Sequence, residues 1–192
     1  MPVAGIGDPG YNHLLNRERI IIPPVNKPVT STPVTRELDA RGVSYRLFSH
    51  PGPIHSLEQA AQERGQRPDQ VVRSLLFRLS TGEFVMVLAA GPAQVSWPAL
   101  RAYLGVSRLT TATKQEVIEY TGYESGAVSP FGLPDLSGGT SSRIRILADE
   151  NVFKDQEVSI GSGVRFTTVI LHSSALRHAL GEVETGKFLA QA

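Results

Sequence analysis

Cysteine is absent from the 192-residue sequence. Disulfide bonds, zinc–thiolate sites and cysteine nucleophiles are therefore excluded. Charged residues are also scarce, at 19%, and the formal net charge is only +1. A net charge so close to zero argues against a large non-specific nucleic-acid surface, although it leaves room for a local basic patch.

Long apolar runs are missing as well. The longest, residues 84–90, is far shorter than the ~20 residues that a membrane-spanning helix needs. The first ten residues lack the basic region and the apolar core of a signal peptide. We therefore expect a cytoplasmic protein without a membrane partner.

Several catalytic signatures are not found. No G-x-G-x-x-G follows a predicted strand, and neither a Walker lysine motif nor a G-x-S-x-G elbow occurs. None of the five histidines forms an i, i+4 pair with a carboxylate within a predicted helix, as metal sites do. His50 and His55 flank a Pro-Gly-Pro turn and are weak candidates for loop ligands, while His172 and His178 fit structural roles. The sequence predicts no metal and no cofactor.

Proline divides the chain. Six of the 13 prolines lie at or before position 33, which predicts a Pro-rich extension over residues 1–31. An arm packed on the domain and a mobile tail are both compatible with this composition. We expect one domain over residues 32–181 and a C-terminal tail over 182–192.

Capping residues and hydrophobic periodicity predict short helices between strands. Thr32, Ser56, Ser96 and Thr113 stand where N-caps belong, and alternation or short apolar runs predict the strands. An antiparallel hairpin is expected from residues 71–90. This order predicts an α+β domain with a mixed sheet. The predicted helices are 33–41, 57–64, 97–104, 114–120 and 174–180, and the predicted strands are 43–48, 71–79, 84–90, 143–148, 157–160 and 164–171.

Arg73 is unexpected in the strand at 71–79. Alternation places it on the same face as Leu75, Phe77 and Leu79. A buried guanidinium without a partner is very unfavourable. Either Arg73 extends out at the rim of the sheet, or this face lines a pocket in which Arg73 holds a phosphate or carboxylate.

Glycine and proline are concentrated in residues 121–134. Glycine allows the backbone to approach a ligand closely, and backbone N–H groups suit a developing oxyanion. An ordinary tight connection would use the same residues. Gly161-Ser162-Gly163 fits a hairpin turn or a second ligand-binding turn, and Asp149 fits a ligand contact or a cap on the next turn.

Seven segments occur in an order that resembles the YbaK / prolyl-tRNA synthetase-associated editing domain family. They are TPVTRELDARGVSYRLFSH, SLEQAAQERG, QVVRSLLF, FVMVLAAG, TGYESGAVSPFGLP, ILAD and VSIGSG. The likeness covers about residues 32–181, and Gly126-x-x-x-Pro130 is its best single motif. The ordered set is more specific than any one segment.

The resemblance implies a curved, largely closed mixed β-sheet surrounded by short helices. It also implies a trans-acting deacylase that hydrolyses the ester of a mischarged alanyl-, cysteinyl- or seryl-type tRNA. Family members are thought to work without a metal or a protein nucleophile, using the terminal ribose hydroxyl and a bound water. The implied partners are mischarged tRNA and an aminoacyl-tRNA synthetase.

The resemblance also assigns site residues. Arg73, Gly126 and Pro130 would be catalytic, with Arg73 where most members have lysine. Arginine keeps the charge but is bulkier and is not a general base at neutral pH. A non-catalytic module that binds aminoacyl-adenosine, a nucleotide or tRNA is therefore the alternative function. The substrate-binding residues implied are Ser129, Phe131, Asp149, Gly161, Ser162 and Gly163.

Overall fold

Helices form where the sequence provides N-caps. The computed structural model describes residues 29–134 and 144–190. Thr32, Ser56, Ser96 and Thr113 each accept a hydrogen bond from the backbone N–H three residues later, which satisfies an otherwise free donor of the first turn. The helices are α1 (Pro33–Ala40), α2 (Leu57–Glu63), α3 (Trp97–Leu104), α4 (Lys114–Thr121) and α5 (Ser173–Leu180).

The strands agree with the prediction in order and differ at some ends. The first begins three residues later than predicted, at Arg46, and Arg143 of the fourth predicted strand lies outside the described residues. Two three-residue strands were not predicted, because three residues are too few to show alternation. The strands are β1 (Arg46–Ser49), β2 (Val72–Leu79), β3 (Phe84–Ala90), β4 (Leu109–Thr111), β5 (Arg145–Asp149), β6 (Glu157–Gly161), β7 (Thr167–His172) and β8 (Glu184–Gly186).

The strands form two sheets. One has the order β4-β2-β3-β5-β8 and combines an antiparallel β2–β3 hairpin with parallel β3–β5 and β5–β8 pairs; the other has the order β1-β7-β6 and is antiparallel. The α+β class, the mixed sheet and the hairpin are confirmed.

Within residues 29–134 and 144–190, the expected closure of the sheet is not found. β4 pairs only with Phe77–Leu79 at the end of β2. The beginning of β2 approaches the other sheet through a single parallel bridge between Val71 and Ser159. Because one bridge does not continue into a ladder, the two sheets stay separate along this edge.

β3 separates two hydrophobic cores. All of its residues are buried, and its side chains alternate between the two sides. Met86 and Leu88 belong to the larger core, which also contains Ile160 and Val169 of the other sheet. Val85 and Val87 belong to the smaller core beside Leu100 of α3. The five-stranded sheet therefore lies between the three-stranded sheet and α3.

The segment predicted as a C-terminal tail continues the fold as far as residue 190. β8 pairs with β5, and Phe188 is buried in the smaller core. Asp149 Oδ2 accepts hydrogen bonds from the backbone N–H groups of Phe188 and Leu189, at 2.7 and 3.2 Å. Residues 1–28 of the predicted extension and residues 191–192 lie outside the described chain.

Candidate functional site

A cavity of about 470 Å³ opens beside the first half of β2. It lies where β4 no longer covers the edge of β2 and where α2, β6 and the glycine-rich loop meet. Short stretches that are distant in sequence are brought together there. The lining comprises residues 54–57, 60 and 64; residues 71–75; residues 125, 126 and 128; residues 159–161; and residues 165, 166 and 168.

The cavity lining is cationic. It contains three arginines, Arg64, Arg73 and Arg165, and its lining residues include no aspartate or glutamate. Arg165 is compensated from outside, because its Nη1 lies 3.2 Å from the carboxylate of Glu124. Arg64 and Arg73 have no salt bridge among the described residues. The lining therefore includes two arginines that no described carboxylate neutralises.

Unsatisfied polar atoms converge on this cavity. Among residues 29–134 and 144–190, the buried side-chain atoms without a hydrogen-bond partner are Arg64 Nη2, Arg73 Nε and Ser74 Oγ. All three residues line the cavity. Buried polar groups are nearly always paired, and an unpaired one calls for a ligand, water or ion. Their coincidence makes this cavity the candidate site for a group rich in hydrogen-bond acceptors.

Arg73 lies at the cavity and is only partly exposed. Its Nη2 donates to the backbone carbonyl of Ala93, which holds one end of the guanidinium and leaves Nε free. Burial lowers the pKa of Arg73, because desolvation disfavours the charged form. Arg73 thus lines the cavity, and its Nη2 is held at Ala93, which is not among the lining residues.

Arg64 is a site residue that the sequence reasoning missed. It is buried at the end of α2, where Nε donates to Gln66 Oε1 and Nη1 donates to His50 Nε2, both at 3.0 Å. Burial lowers the pKa of Arg64 to about 10, so the side chain still carries its charge at neutral pH. The spacing from Leu57 through Ala60 and Ala61 to Arg64 follows one helical face, and this pattern could have identified it.

Glu63 fixes the histidine that supports Arg64. His50 Nδ1 lies 2.5 Å from Glu63 Oε2, and a carboxylate at this position requires Nδ1 to carry the proton. Nε2 is then free to accept the hydrogen bond from Arg64. The hydrogen bond from His50 is also the main reason that the pKa of Glu63 is lowered. His50 therefore positions an arginine.

The glycine-rich loop forms another wall of the cavity. Gly126 has φ +90 and no atom lies within 4 Å of where a Cβ would be, so its backbone faces open space. Behind it, Tyr123 Oη lies 2.7 Å from the carbonyl oxygens of Phe131 and Gly132. Burial, followed by the nearby Glu37 carboxylate, raises the pKa of Tyr123 to about 12, which keeps the hydroxyl protonated as the donor that anchors this loop.

Gly161 brings β6 against the same loop. A Cβ at this position would overlap the carbonyl oxygens of Ala127 and Val128. At Gly163, whose φ is +82, a Cβ would lie 2.6 Å from the ring of Tyr123. The two glycines thus permit close contact between the second turn and the loop, and only Gly161 lines the cavity.

Three of the residues expected in the site line the cavity: Arg73, Gly126 and Gly161. The other expected residues do not line it, and all of them except the half-buried Gly163 are buried. Ser162 Oγ lies 3.0 Å from the Val164 carbonyl oxygen and 3.1 Å from that of Thr167, so its hydroxyl donates within its own turn. Both oxygens of Asp149 accept backbone N–H groups, Oδ1 from Asn151 and Oδ2 from the C-terminal segment, as expected of a cap. Ser129, Pro130 and Phe131 form the buried part of the loop.

The described part of the chain shows no group of three or more histidine, aspartate or glutamate side chains arranged to hold a metal ion. None of the helices in residues 29–134 and 144–190 is long and apolar enough to cross a membrane.

The fold is similar to that of proteins of known structure. A solved structure described as a candidate trans-editing enzyme for prolyl tRNA synthetase superposes with a TM-score of 0.72 at 24% identity, over 83% of this chain and 96% of the other. This likeness establishes the fold.

Two curated relatives illustrate the sequence similarity. The prolyl-tRNA editing protein ProX of Acetoanaerobium sticklandii is 24% identical over 139 residues, 72% of this chain and 82% of its own. A proline–tRNA ligase of Kosmotoga olearia is 34% identical over 106 residues, 55% of this chain and 17% of the ligase. The chain therefore spans about a sixth to a fifth of the length of the ligases that it matches.

The family profile of the aminoacyl-tRNA editing domain matches residues 51–179, more than half of the chain. The match includes every segment that lines the cavity. The chain belongs to the aminoacyl-tRNA editing domain family.

Proposed function

We propose that this protein is a trans-acting deacylase that hydrolyses the ester of a mischarged tRNA of alanyl, cysteinyl or seryl type. Membership of the editing-domain family implies aminoacyl-tRNA deacylase activity in general. The similarity to the ProX editing protein over 82% of its length supports action on tRNA outside a synthetase. A proline–tRNA synthetase is the proposed source of the mischarged tRNA.

The lining of the cavity is the main support for this proposal. Two guanidinium groups without a carboxylate partner, together with the unpaired Ser74 hydroxyl, favour an anion with several oxygen acceptors. The 3′ end of a tRNA supplies phosphates, whereas the α-amino group of an aminoacyl ester is a cation. We therefore place a phosphate near Arg64 and Arg73, and the aminoacyl group away from them.

The aminoacyl ester is assigned to the wall formed by Gly126 and Gly161. The backbone at Gly126 is open to the cavity, and its N–H groups suit the oxyanion that forms when water attacks the ester carbonyl. The acyl–oxygen bond then breaks, and the ribose oxygen takes a proton released by the water. Arginine does not act as a base at neutral pH, so we assign proton transfer to the vicinal ribose hydroxyl and the bound water, without a metal.

The deciding experiment uses purified protein with alanyl-, cysteinyl- and seryl-tRNAs, with and without a metal chelator. We expect ester loss above the buffer rate for at least one of them, unaffected by the chelator. No ester loss for any of the three would refute the proposed activity, and chelator sensitivity would refute the metal-independent mechanism.

A second candidate function is a binding module without turnover. It is favoured by the hydrogen bond between Arg73 Nη2 and the Ala93 carbonyl, which ties down the basic group expected to contact substrate. The variant Arg73→Lys distinguishes the two. A large gain in turnover would indicate a protein tuned for binding, whereas equal turnover in wild type and variant would remove the support for this alternative.

A further inference from the structure

Phe166 has an unusual backbone conformation at the cavity. Its φ is +61, whereas every other described residue with a positive φ is a glycine. A bulky side chain in the left-handed region is a true outlier, because Cβ approaches the carbonyl oxygen. Such strain is typically retained where function requires it.

A backbone hydrogen bond explains why residue 166 adopts this conformation, but it does not explain why the residue is a phenylalanine. The Phe166 carbonyl accepts a hydrogen bond of 2.7 Å from the His50 N–H, which links the start of β7 to the end of β1. A glycine would make the same bond without strain. The phenyl ring must therefore account for the presence of phenylalanine.

The ring is placed to meet a ligand. Phe166 lines the cavity and keeps 36% of its surface exposed. It is thus not an anchor of either core. The Arg165 guanidinium carbon lies 5.2 Å from the ring centroid, and its Nη1 is paired with Glu124. A cation–π contact of this kind orients the ring and leaves the remaining ring surface for another flat group.

We propose that Phe166 is a stacking platform for the terminal nucleobase of the bound RNA 3′ end. This inference rests on the proposed function, because the tRNA 3′ end supplies the base. A neutral, planar base suits a ring already covered by a guanidinium, whereas the α-ammonium of the aminoacyl group would be repelled by Arg165. Single-stranded bases are commonly bound by stacking on aromatic side chains.

The test compares two RNA oligonucleotides without an aminoacyl group. One ends in CCA, and the other has the same sequence but lacks the terminal base. From the usual strength of base–aromatic stacking, we expect wild-type protein to bind the complete RNA about 5- to 140-fold more tightly. Phe166→Gly and Phe166→Leu should lose most of this preference, while Phe166→Trp should keep it.

Thermal stability gives an independent readout, because Phe166→Gly should bind RNA more weakly and yet be more stable. Relief of the left-handed strain should raise the Tm of Phe166→Gly by about 2–8 °C, although its binding is weaker. Phe166→Leu keeps the strain and should not gain in Tm. Trp97→Leu is the control, since Trp97 is similarly exposed, at 39%, and does not line the cavity. It should leave the preference for the complete RNA unchanged.

Several results would overturn this assignment. They are an equal affinity of wild-type protein for the two RNAs, no binding of either RNA, or an unchanged preference in Phe166→Gly. Because neither RNA carries an ester, these results do not depend on deacylation. A wild-type protein that discriminates between the RNAs through Phe166 but hydrolyses no mischarged tRNA would refute the proposed activity and leave the stacking platform in place.

Discussion

Replacing Arg64 by methionine tests whether the cavity holds a phosphate. Methionine retains an unbranched apolar stem on α2 and removes the guanidinium. A hydrogen bond to a charged group contributes about 1.5–3 kcal/mol, so we expect the affinity for RNA ending in CCA to fall about 10- to 150-fold.

The expected change in folding stability is small and follows from opposing effects. Burial lowers the pKa of Arg64 to about 10 because it disfavours the charged form, and the variant removes this charge. The variant also removes the hydrogen bonds to Gln66 and His50, at about 1 kcal/mol each. Because these effects oppose each other, we expect the free energy of unfolding to change little.

The assay is fluorescence anisotropy with labelled RNA over a range of salt concentrations, combined with urea unfolding. Loss of one phosphate contact should flatten the slope of log K against log[salt] by about 0.7 for a single strand. Arg108→Met is the matched control. It removes the same charge from an exposed arginine that does not line the cavity, and we expect little change in affinity or slope.

Two results would refute this reasoning. Unchanged affinity and slope together with a stability loss above about 3 kcal/mol would show that Arg64 serves the fold, as expected when a buried network is broken. Weaker binding with an unchanged salt slope would show that Arg64 contacts a group other than phosphate.

Three further predictions concern the loop, Arg73 and the edge of the sheet. Gly126→Ala should slow ester hydrolysis, because alanine is strained at φ +90. The control is Gly82→Ala, at φ +89 in the hairpin turn and equally unobstructed, which should lose a similar stability, about 1 kcal/mol, and keep normal kinetics. Equal kinetics in the two variants would show that the loop is not part of the site. Arg73→Ala should weaken RNA binding with little change in Tm, and the reverse result would assign Arg73 to the fold. The hydrogen bond from Arg145 lowers the pKa of Glu184, so this carboxylate stabilises the fold at pH values above its ordinary pKa and loses the effect as the pH falls through the lowered value. The Tm of the wild-type protein should therefore exceed that of Glu184→Gln, and the difference should vanish over that acid range. A difference that stays constant with pH would contradict the assignment.

Local signals predicted much of the fold. Thr32, Ser56, Ser96 and Thr113 cap helices because their side-chain oxygens need only nearby N–H groups. The β2–β3 hairpin was equally accessible, since a short turn joins two strongly apolar runs. These features depend on contacts between residues close in sequence.

Long-range features were less accessible. The open edge of β2 depends on where β4 stops pairing with it. The sequence of β2 contains no information about this position. The tail assignment overlooked β8, because its pairing partner, β5, lies more than 30 residues earlier.

The site residues divide in the same way, into those with a local signal in the sequence and those that depend on distant parts of the chain. Arg73 was identified because a charge interrupts an apolar strand, and Gly126 because glycines are concentrated in one loop. Arg64 was missed, since its importance comes from His50 and Thr168, which reach it from other parts of the chain. Phe166 was missed because a positive φ at a non-glycine residue leaves no mark in the sequence.

The attachment of residues 188 and 189 to Asp149 has a consequence for the order of assembly during synthesis. The ribosome makes Phe188 after every other fully buried member of the smaller core, including Val95, Leu100 and Leu147. That core therefore stays incomplete until nearly all of the described chain has emerged, whereas the β2–β3 hairpin can form far earlier. A chain cut after residue 181 would leave the Asp149 carboxylate without two of its donors and the space beside α3 unfilled, so we expect such a fragment to engage chaperones even though every residue lining the cavity is present.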